Sequence, residues 1–332
     1  MNFKKVLACM TAMMVLTGTM IGCGSAKTTE DKAEQVSEIN LTYVKSPLNV
    51  PSIIQKQDDL FGKEFSKDNI AVNFHEITSG PDQTQALAAG ELDFLHALGG
   101  TSALIAASNG VELEILNTYS RSPKGFMILT NDDSITSAKD LVGKKVAGPK
   151  GTVLHQVLIA ALKNEGHTID DVEYINMGIP EASAALADGS VDAALIAGPT
   201  ALKAINSGSK VVANGEGLVD GIIVTAVSKD FADKHPDLVD RFLKVEKETL
   251  KYVDENFDEA MEKVANEVGL TVEETKEMYS WYDFNLDITD ADIQSLKDTQ
   301  DFLIANGLQE KEVNVEDLIS VSYTHITLPT IR

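Results

Sequence analysis

Cysteine is nearly absent from this chain. Of its 332 residues only Cys9 and Cys23 are cysteines, and both lie close to the N-terminus. A domain built from the residues that follow can form no internal disulfide, no cysteine-ligated metal site and no cysteine nucleophile. Its stability must therefore come from its core, and about 280 residues are enough to build more than one core.

Positive charge is also scarce. The chain has 28 lysines and arginines against 51 aspartates and glutamates, which gives a formal net charge of −23. A surface this acidic keeps an exported protein soluble and disfavours binding to nucleic acid or direct adhesion to anionic lipid. We therefore expect no nucleic-acid partner, and any attachment to a membrane must be covalent.

Signatures of catalysis and of metal binding are missing as well. The chain has no Gly-x-Ser-x-Gly, no P-loop lysine and no glycine-rich dinucleotide fingerprint, and its histidines do not show metal-ligand spacing. These absences favour a binding protein over an enzyme, and we expect no cofactor and no metal.

The one long apolar run lies at the N-terminus. Two lysines precede it, and it covers about 16 residues from Val6 to Ile21, which is too short to span a bilayer as a helix. Its ending, MIGC, resembles a bacterial lipobox. We therefore predict a lipoprotein signal peptide over 1–22 and a lipid anchor at Cys23, on the extracytoplasmic face of the cell membrane. The alternative is an ordinary secretory signal in which Cys23 has no role.

Two terminal segments fit no globular pattern. Residues 23–38 are polar and aperiodic, which is typical of a flexible tether. Residues 320–332, SVSYTHITLPTIR, contain no aspartate or glutamate although they follow an acidic helical region. They resemble translated adapter sequence at the end of an assembled gene fragment. We predict a non-native tail without function there, with a genuine terminal strand as the alternative.

A helix-turn-strand pattern occurs twice in the chain. ALAAGELDFLHALGG at 86–100 returns as ALADGSVDAALIAGP at 185–199, and both copies share a Gly-x-x-Asp. In each copy a short helix ends at a glycine, Gly90 or Gly189, where positive φ is accessible, and a buried strand follows. Two equivalent units this far apart indicate two similar α/β domains, each with its own sheet.

Strand and helix signals alternate through the body of the chain, which is typical of mostly parallel sheets flanked by helices. We predict a first lobe over 39–129, a second lobe over 130–224, and completion of the first lobe by a helical region over 225–319. The chain crosses between lobes near Thr130 and Thr225. The predicted fold class is thus α/β with two lobes joined by two hinge strands and a ligand cleft between them.

Four loops follow predicted strands at the positions where ligands of open α/β sheets bind. They are KSPLN after the first strand, GGTS at 99–102, GPKGT at 148–152 and GPT at 198–200, and the last three each open a helix. Glycine lets the backbone approach a ligand, and the free N–H groups of a helix start favour an anion. The serine and threonine hydroxyls either cap these helices or face the ligand. As a set, we expect these loops to line the cleft.

These motifs resemble a known family. KGTVLHQVLIAALKNEG and ALADGSVDAALIAGP, with Pro180 between them, are similar to the second lobe of substrate-binding lipoproteins of ABC importers of the aliphatic sulfonate, taurine and nitrate class. LAAGELDF and GGTSAL are similar to the first lobe. The resemblance covers about residues 39–319. It implies a type 2 periplasmic-binding-protein fold, a small solute as ligand, an ABC permease as partner and a monomeric protein.

The resemblance does not name the solute. Relatives also bind pyrimidine precursors of thiamine, so a neutral or cationic ligand stays open beside a sulfonate or nitrate. One enzyme with this fold makes the thiamine pyrimidine, but it depends on a cysteine-rich motif that this chain lacks. A receptor sensing domain is the remaining alternative.

The resemblance implies ligand contacts from both lobes. The expected residues are Ser46, Asn49, Gly100, Thr101, Ser102, Gly151, Thr152, Val153, Pro180, Glu181, Pro199 and Thr200. Arg121 follows a strand toward the predicted hinge, where it either pairs an anionic head group bidentately or forms a surface salt bridge. His155, one turn into the helix after Gly151, either faces the cleft or packs within the lobe.

Overall fold

The computed structural model describes residues 36–320. The predicted signal peptide, the lipid anchor at Cys23 and most of the predicted tether and tail lie outside these residues. The described part contains ten strands: β1 Glu38–Tyr43, β2 Ala71–Glu76, β3 Phe94–Gly99, β4 Leu113–Arg121, β5 Phe126–Thr130, β6 Lys145–Gly148, β7 Glu173–Asn176, β8 Ala193–Ala197, β9 Lys210–Asn214 and β10 Ile222–Ser228.

Helices alternate with these strands and then dominate the C-terminal part. The α-helices of residues 36–320 are α1 Val50–Gln57, α2 Leu60–Phe65, α3 Gly80–Ala88, α4 Gly100–Ser108, α5 Val153–Asn164, α6 Ile179–Asp188, α7 Gly198–Asn206, α8 Lys229–Lys234, α9 Pro236–Glu255, α10 Phe257–Val268, α11 Val272–Tyr279 and α12 Asp290–Ala305. None of them is both long and apolar enough to cross a membrane.

The strands form two sheets with equivalent topology. The first sheet has the order β2-β1-β3-β10-β4, and the second has the order β7-β6-β8-β5-β9. In each sheet the first three strands pair in parallel, and the fourth pairs antiparallel with both its neighbours. The predicted fold class, two α/β lobes with mostly parallel sheets, is confirmed.

The antiparallel strand of each sheet is the one by which the chain enters that lobe. The chain crosses at 122–125 and returns at 215–221, and the two crossings lie side by side, with the Ser122 N–H donating to the Gly221 carbonyl at 3.2 Å. The parallel strands end at the face between the lobes, whereas the strand that follows each crossing begins there, so this strand is antiparallel to them. Both crossings come earlier than the expected Thr130 and Thr225, since β5 lies wholly in the second sheet and β10 wholly in the first.

The repeated sequence performs the same structural task in both lobes. Gly90 and Gly189 take left-handed backbone conformations with φ of 74° and 76° after α3 and α6. The aspartate that follows accepts a hydrogen bond from the backbone of the neighbouring parallel strand. Asp93 Oδ2 lies 2.8 Å from the Asn40 N, and Asp192 Oδ2 lies 2.8 Å from the Lys145 N. Each copy thus joins the central strand, β3 or β8, to the parallel strand beside it, β1 or β6.

The C-terminal helices pack on the first lobe. The predicted apolar stripe of α9, formed by Leu238, Phe242, Val245 and Val253, is buried. This helix contacts α1 and α2, and α12 contacts α4. The Phe242 ring stacks on that of Phe94, with centroids 4.0 Å apart. Helix α9 therefore covers one face of the first sheet, whereas α12 packs in the separate hydrophobic cluster that contains α4.

A buried polar cluster lies between α9 and the first sheet. The Glu246 carboxyl group, on a side chain only 2% exposed, lies 3.0 Å from His96 Nε2 and accepts hydrogen bonds from Asn117 Nδ2 at 2.6 Å and Thr225 Oγ1 at 2.9 Å. On the other side of the His96 ring, Nδ1 lies 3.1 Å from Ser52 Oγ. Because none of these groups reaches solvent, each depends on the others for its hydrogen bonds.

Candidate ligand-binding site

A cavity of about 50 Å³ lies between the two lobes. One water molecule needs about 10–15 Å³, so the cavity is large enough for small groups only. The first lobe lines it with Val44, Ser46, Pro47, Thr78, Gly80, Gln83, Ala97, Gly99, Ser102 and Ile223. The second lobe lines it with Phe126, Pro149, Thr152, Val153, Leu154 and Ile179.

Four helices begin at this cavity. Gly80, Val153 and Ile179 are the first residues of α3, α5 and α6, and Gly99 immediately precedes α4. The first N–H groups of a helix have no partner within it, and they carry partial positive charge. These helix starts therefore converge on a space that suits a negative group.

Charged side chains are absent from the described lining of the cavity. Its polar groups are the hydroxyls of Ser46, Thr78, Ser102 and Thr152, the amide of Gln83 and backbone atoms, and the remaining lining is apolar. A ligand anion would thus be held by dipoles and hydrogen bonds rather than by a counter-ion.

Four of the residues expected from the sequence line the cavity: Ser46, Ser102, Thr152 and Val153. Thr152 is the N-cap of α5, and its Oγ1 donates to the Pro149 carbonyl at 2.8 Å. The Ser102 hydroxyl donates across the cleft to the Gly151 carbonyl at 2.8 Å. Thr152 therefore both caps α5 and lines the cavity.

Other expected residues connect the lobes directly. Thr101 Oγ1 donates to Gln156 Oε1 at 2.7 Å, and the hydroxyls of Ser46 and Thr200 lie 3.1 Å apart. Thr101 and Gln156 are almost fully buried. Together with the Ser102 contact to Gly151, these bonds hold the lobes in a closed arrangement around the cavity.

The remaining expected residues do not line the cavity. Asn49 is buried at the start of α1, where its amide donates to the Val44 carbonyl at 2.8 Å. A Cβ at Gly100 would lie 2.9 Å from Leu296, so its missing side chain serves packing against α12. Pro180 and Glu181 are exposed on α6, and Pro199 is buried in α7. For these residues, the sequence argument from loops that follow strands did not predict whether the side chain lines the cavity.

Of the two roles considered for Arg121, the structure favours the salt bridge over contact with an anionic ligand. All five N–H donors of its guanidinium are used within the first lobe and its helical extension. They contact both carboxylate oxygens of Asp292 at 2.6 Å, Asp283 at 3.3 Å, and the carbonyls of Asn285 and Asp287 at 2.9 and 2.8 Å. Arg121 therefore fastens the segment before α12 to the end of β4.

Replacing Arg121 with methionine is expected to lower the free energy of unfolding by about 3 kcal/mol, because Asp292 is left buried without its cation. Burial raises the pKa of Asp292, but hydrogen bonds from Arg121 and Thr289 lower it by more, so this pKa lies below its ordinary value. The stabilisation is present above the ordinary carboxyl pKa of about 3.9 and is lost as the pH falls toward the lowered pKa. Urea unfolding at pH 7 and pH 3 measures both effects. Weaker ligand binding at unchanged stability would instead support the ligand-pairing role.

His155 packs within the second lobe. Its ring lies 4.7 Å from that of Tyr174, its Nδ1 accepts a 3.4 Å hydrogen bond from the Gly151 N–H, and it is absent from the described lining of the cavity. Burial, with a smaller effect from Lys150, lowers the pKa of His155 to about 4. The ring is therefore neutral at physiological pH.

Gln83 is a cavity residue that the loop pattern did not indicate. It lies in the first turn of α3, which follows β2 through a loop containing Thr78. Applying the same strand-loop-helix argument to this loop, with its Ser-Gly-Pro start, would have found it. Its side chain is 1% exposed and lines the cavity.

A protein-family model described as "NMT1/THI5 like" matches residues 65–260. The chain belongs to this family. A protein of Bacillus subtilis (strain 168) named as an aliphatic sulfonates-binding protein is 30% identical over 96% of both chains. The taurine-binding periplasmic protein of Escherichia coli (strain K12) is 30% identical over 64% of this chain and 66% of its own.

The fold is shared with solved structures of the same kind. The alkanesulfonate-binding protein SsuA from Xanthomonas axonopodis pv. citri, bound to MOPS, superposes with a TM-score of 0.78 at 23% identity, over 87% of this chain and 99% of its own. The resemblance inferred from the sequence motifs is thus confirmed. The expectation of a binding protein rather than an enzyme agrees with the same relatives.

Proposed function

We propose that this protein is an extracytoplasmic solute-binding protein that captures a short-chain sulfonate between its lobes and delivers it to an ABC permease. The convergence of four helix starts on an uncharged cavity is the observation that carries this proposal. The aliphatic sulfonate- and taurine-binding relatives support the same class of ligand. In this proposal the chain is attached through Cys23 to the outer face of the cell membrane and acts as a monomer.

The energetics suit such a ligand. A helix terminus contributes about 0.3–1 kcal/mol, up to ~2 when partly buried, and a hydrogen bond to a charged group contributes about 1.5–3. A few such contacts with apolar packing reach about −8 kcal/mol, which corresponds to micromolar binding. The acidic surface does not prevent this binding. At physiological salt the electrostatic effect of an exposed charge is screened over about 8 Å, so distant carboxylates have little effect inside the cleft.

Ligand capture would proceed by closure of the lobes about the two crossing segments. The direct bonds from Ser46, Thr101 and Ser102 to the second lobe stabilise the closed arrangement. A ligand that contacts helix starts from both lobes adds to this stability and shifts the population toward it. The permease would then recognise the closed shape.

Thermal-shift and calorimetric titration of residues 36–320 tests the proposal. Ethanesulfonate is expected to raise the melting temperature and to bind with a micromolar Kd. Nitrate, a methylated aminopyrimidine and a small alkylamine serve as comparisons. Because no charged side chain lines the cavity among residues 36–320, a neutral solute is the second candidate. A response to the pyrimidine with none to sulfonates would replace the proposed ligand by the pyrimidine.

A further inference from the structure

Gln83 lines the cavity and has a buried side-chain acceptor without a protein partner. Its Nε2 donates to the Ile77 carbonyl at 2.9 Å. That carbonyl can only accept, so the amide nitrogen and not Oε1 must face it. Within residues 36–320, Gln83 is the one cavity-lining residue that combines near-complete burial with an unpartnered polar side-chain atom, Oε1.

The neighbouring hydroxyls do not supply the missing donor. Ser102 donates to the Gly151 carbonyl, and Thr152 donates to the Pro149 carbonyl. The Ser46 hydroxyl is engaged with Thr200 and the Ala197 carbonyl. A buried acceptor left unsatisfied is costly, so a ligand that brings its own donor to Oε1 removes that cost.

The uncharged lining limits what kind of donor this is. An ammonium group buried in the cavity would meet no carboxylate among the described lining residues, and a buried charge without a partner is strongly disfavoured. A hydroxyl donates one hydrogen bond and carries no charge. The helix starts would bind the anionic end of the ligand.

We infer that Gln83 selects a sulfonate that carries a neutral hydrogen-bond donor, so that a hydroxyalkanesulfonate binds better than either the unsubstituted or the amino analogue. This inference rests on the proposed function. The small volume of the cavity favours a short carbon chain over a long one.

Calorimetry with three ligands of one carbon skeleton tests the inference at pH 7: ethanesulfonate, 2-hydroxyethanesulfonate and 2-aminoethanesulfonate. The hydroxyl compound is expected to bind about tenfold or more tightly than ethanesulfonate, the effect of satisfying one buried acceptor, and more tightly than the amine. If none of the three binds, the proposed function fails and the inference with it. If ethanesulfonate binds as tightly as its hydroxyl analogue, or the amine binds most tightly, the function stands and the inference is wrong.

Two matched variants assign the preference to Gln83. Gln83→Met keeps the side-chain length and removes the acceptor, so the hydroxyl and unsubstituted sulfonates should bind within about twofold of each other. Gln55→Met is the control, because Gln55 is also fully buried with an unpartnered amide but does not line the cavity. It should keep the wild-type preference. Retained preference in Gln83→Met, or equal loss in both variants, overturns the assignment. Circular dichroism checks folding, and the wild-type comparison remains decisive if Gln83→Met does not fold.

Discussion

Replacing Glu246 with alanine is expected to lower the free energy of unfolding by about 3–5 kcal/mol. The substitution leaves the polar groups of His96, Asn117 and Thr225 buried around an empty position, because all three contact the Glu246 carboxyl group. Bulk water does not reach these groups in the wild-type protein, since His96 and Thr225 are 0% exposed. The effect is large because several groups lose a partner at once.

Urea unfolding followed by circular dichroism measures this loss. Glu248→Ala is the matched control, because Glu248 lies on the same helix, is exposed, and forms only a 3.8 Å surface pair with Lys244. It should change stability very little. Equal losses in the two variants would mean that helix propensity in α9 dominates, and a Glu246→Ala protein as stable as wild type would show that the buried cluster contributes nothing net.

Replacing Gly198 with alanine is expected to weaken ligand binding by roughly fivefold to a hundredfold. Gly198 begins α7 in the second lobe with φ of 52°, and a Cβ there would lie 2.8 Å from the backbone of Pro47 and Leu48 in the first lobe. Backbone atoms cannot move aside as a flexible side chain can. The added Cβ is therefore expected to destabilise the closed arrangement by about 1–3 kcal/mol through overpacking. Apparent affinity falls in proportion to the population of the closed state.

Gly189→Ala separates closure from backbone strain. Gly189 has φ of 76°, but no atom lies within 4 Å of a Cβ built there. In both variants an alanine in a left-handed conformation costs about 1–2 kcal/mol. Only Gly198→Ala also obstructs closure of the lobes. Calorimetry with ethanesulfonate should show near-wild-type affinity for Gly189→Ala. Equal weakening in both would point to general destabilisation instead of blocked closure.

Much of the architecture was predictable because it depends on local patterns. The glycine and aspartate of the repeated unit indicated two equivalent lobes, and Asp93 and Asp192 do make the same contact in each. The crossings were predicted too late in the chain, near Thr130 and Thr225. An apolar run such as FMILT reads as a buried strand in either lobe, so hydrophobic pattern cannot assign it to one sheet.

The binding residues were only partly predictable. Loops after strands pointed to Ser46, Ser102 and Thr152, which line the cavity. Arg121 was a reasonable candidate as one of few arginines, but its partners Asp283 and Asp292 lie 162 and 171 positions away in the chain. No local pattern shows that the helical extension returns to neutralise it.

The amino-acid sequence by itself determined two α/β lobes, a scarcity of cationic side chains and a set of helix starts that follow strands, because these depend on periodicity and composition over short stretches. Only the tertiary structure decided which hydroxyls join the lobes, that Arg121 is already fully paired, and that Gln83 lines the cavity with an unpartnered acceptor on its side chain. Such hydrogen bonds depend on atoms brought within 3 Å of one another by packing, and chain spacing carries no record of that.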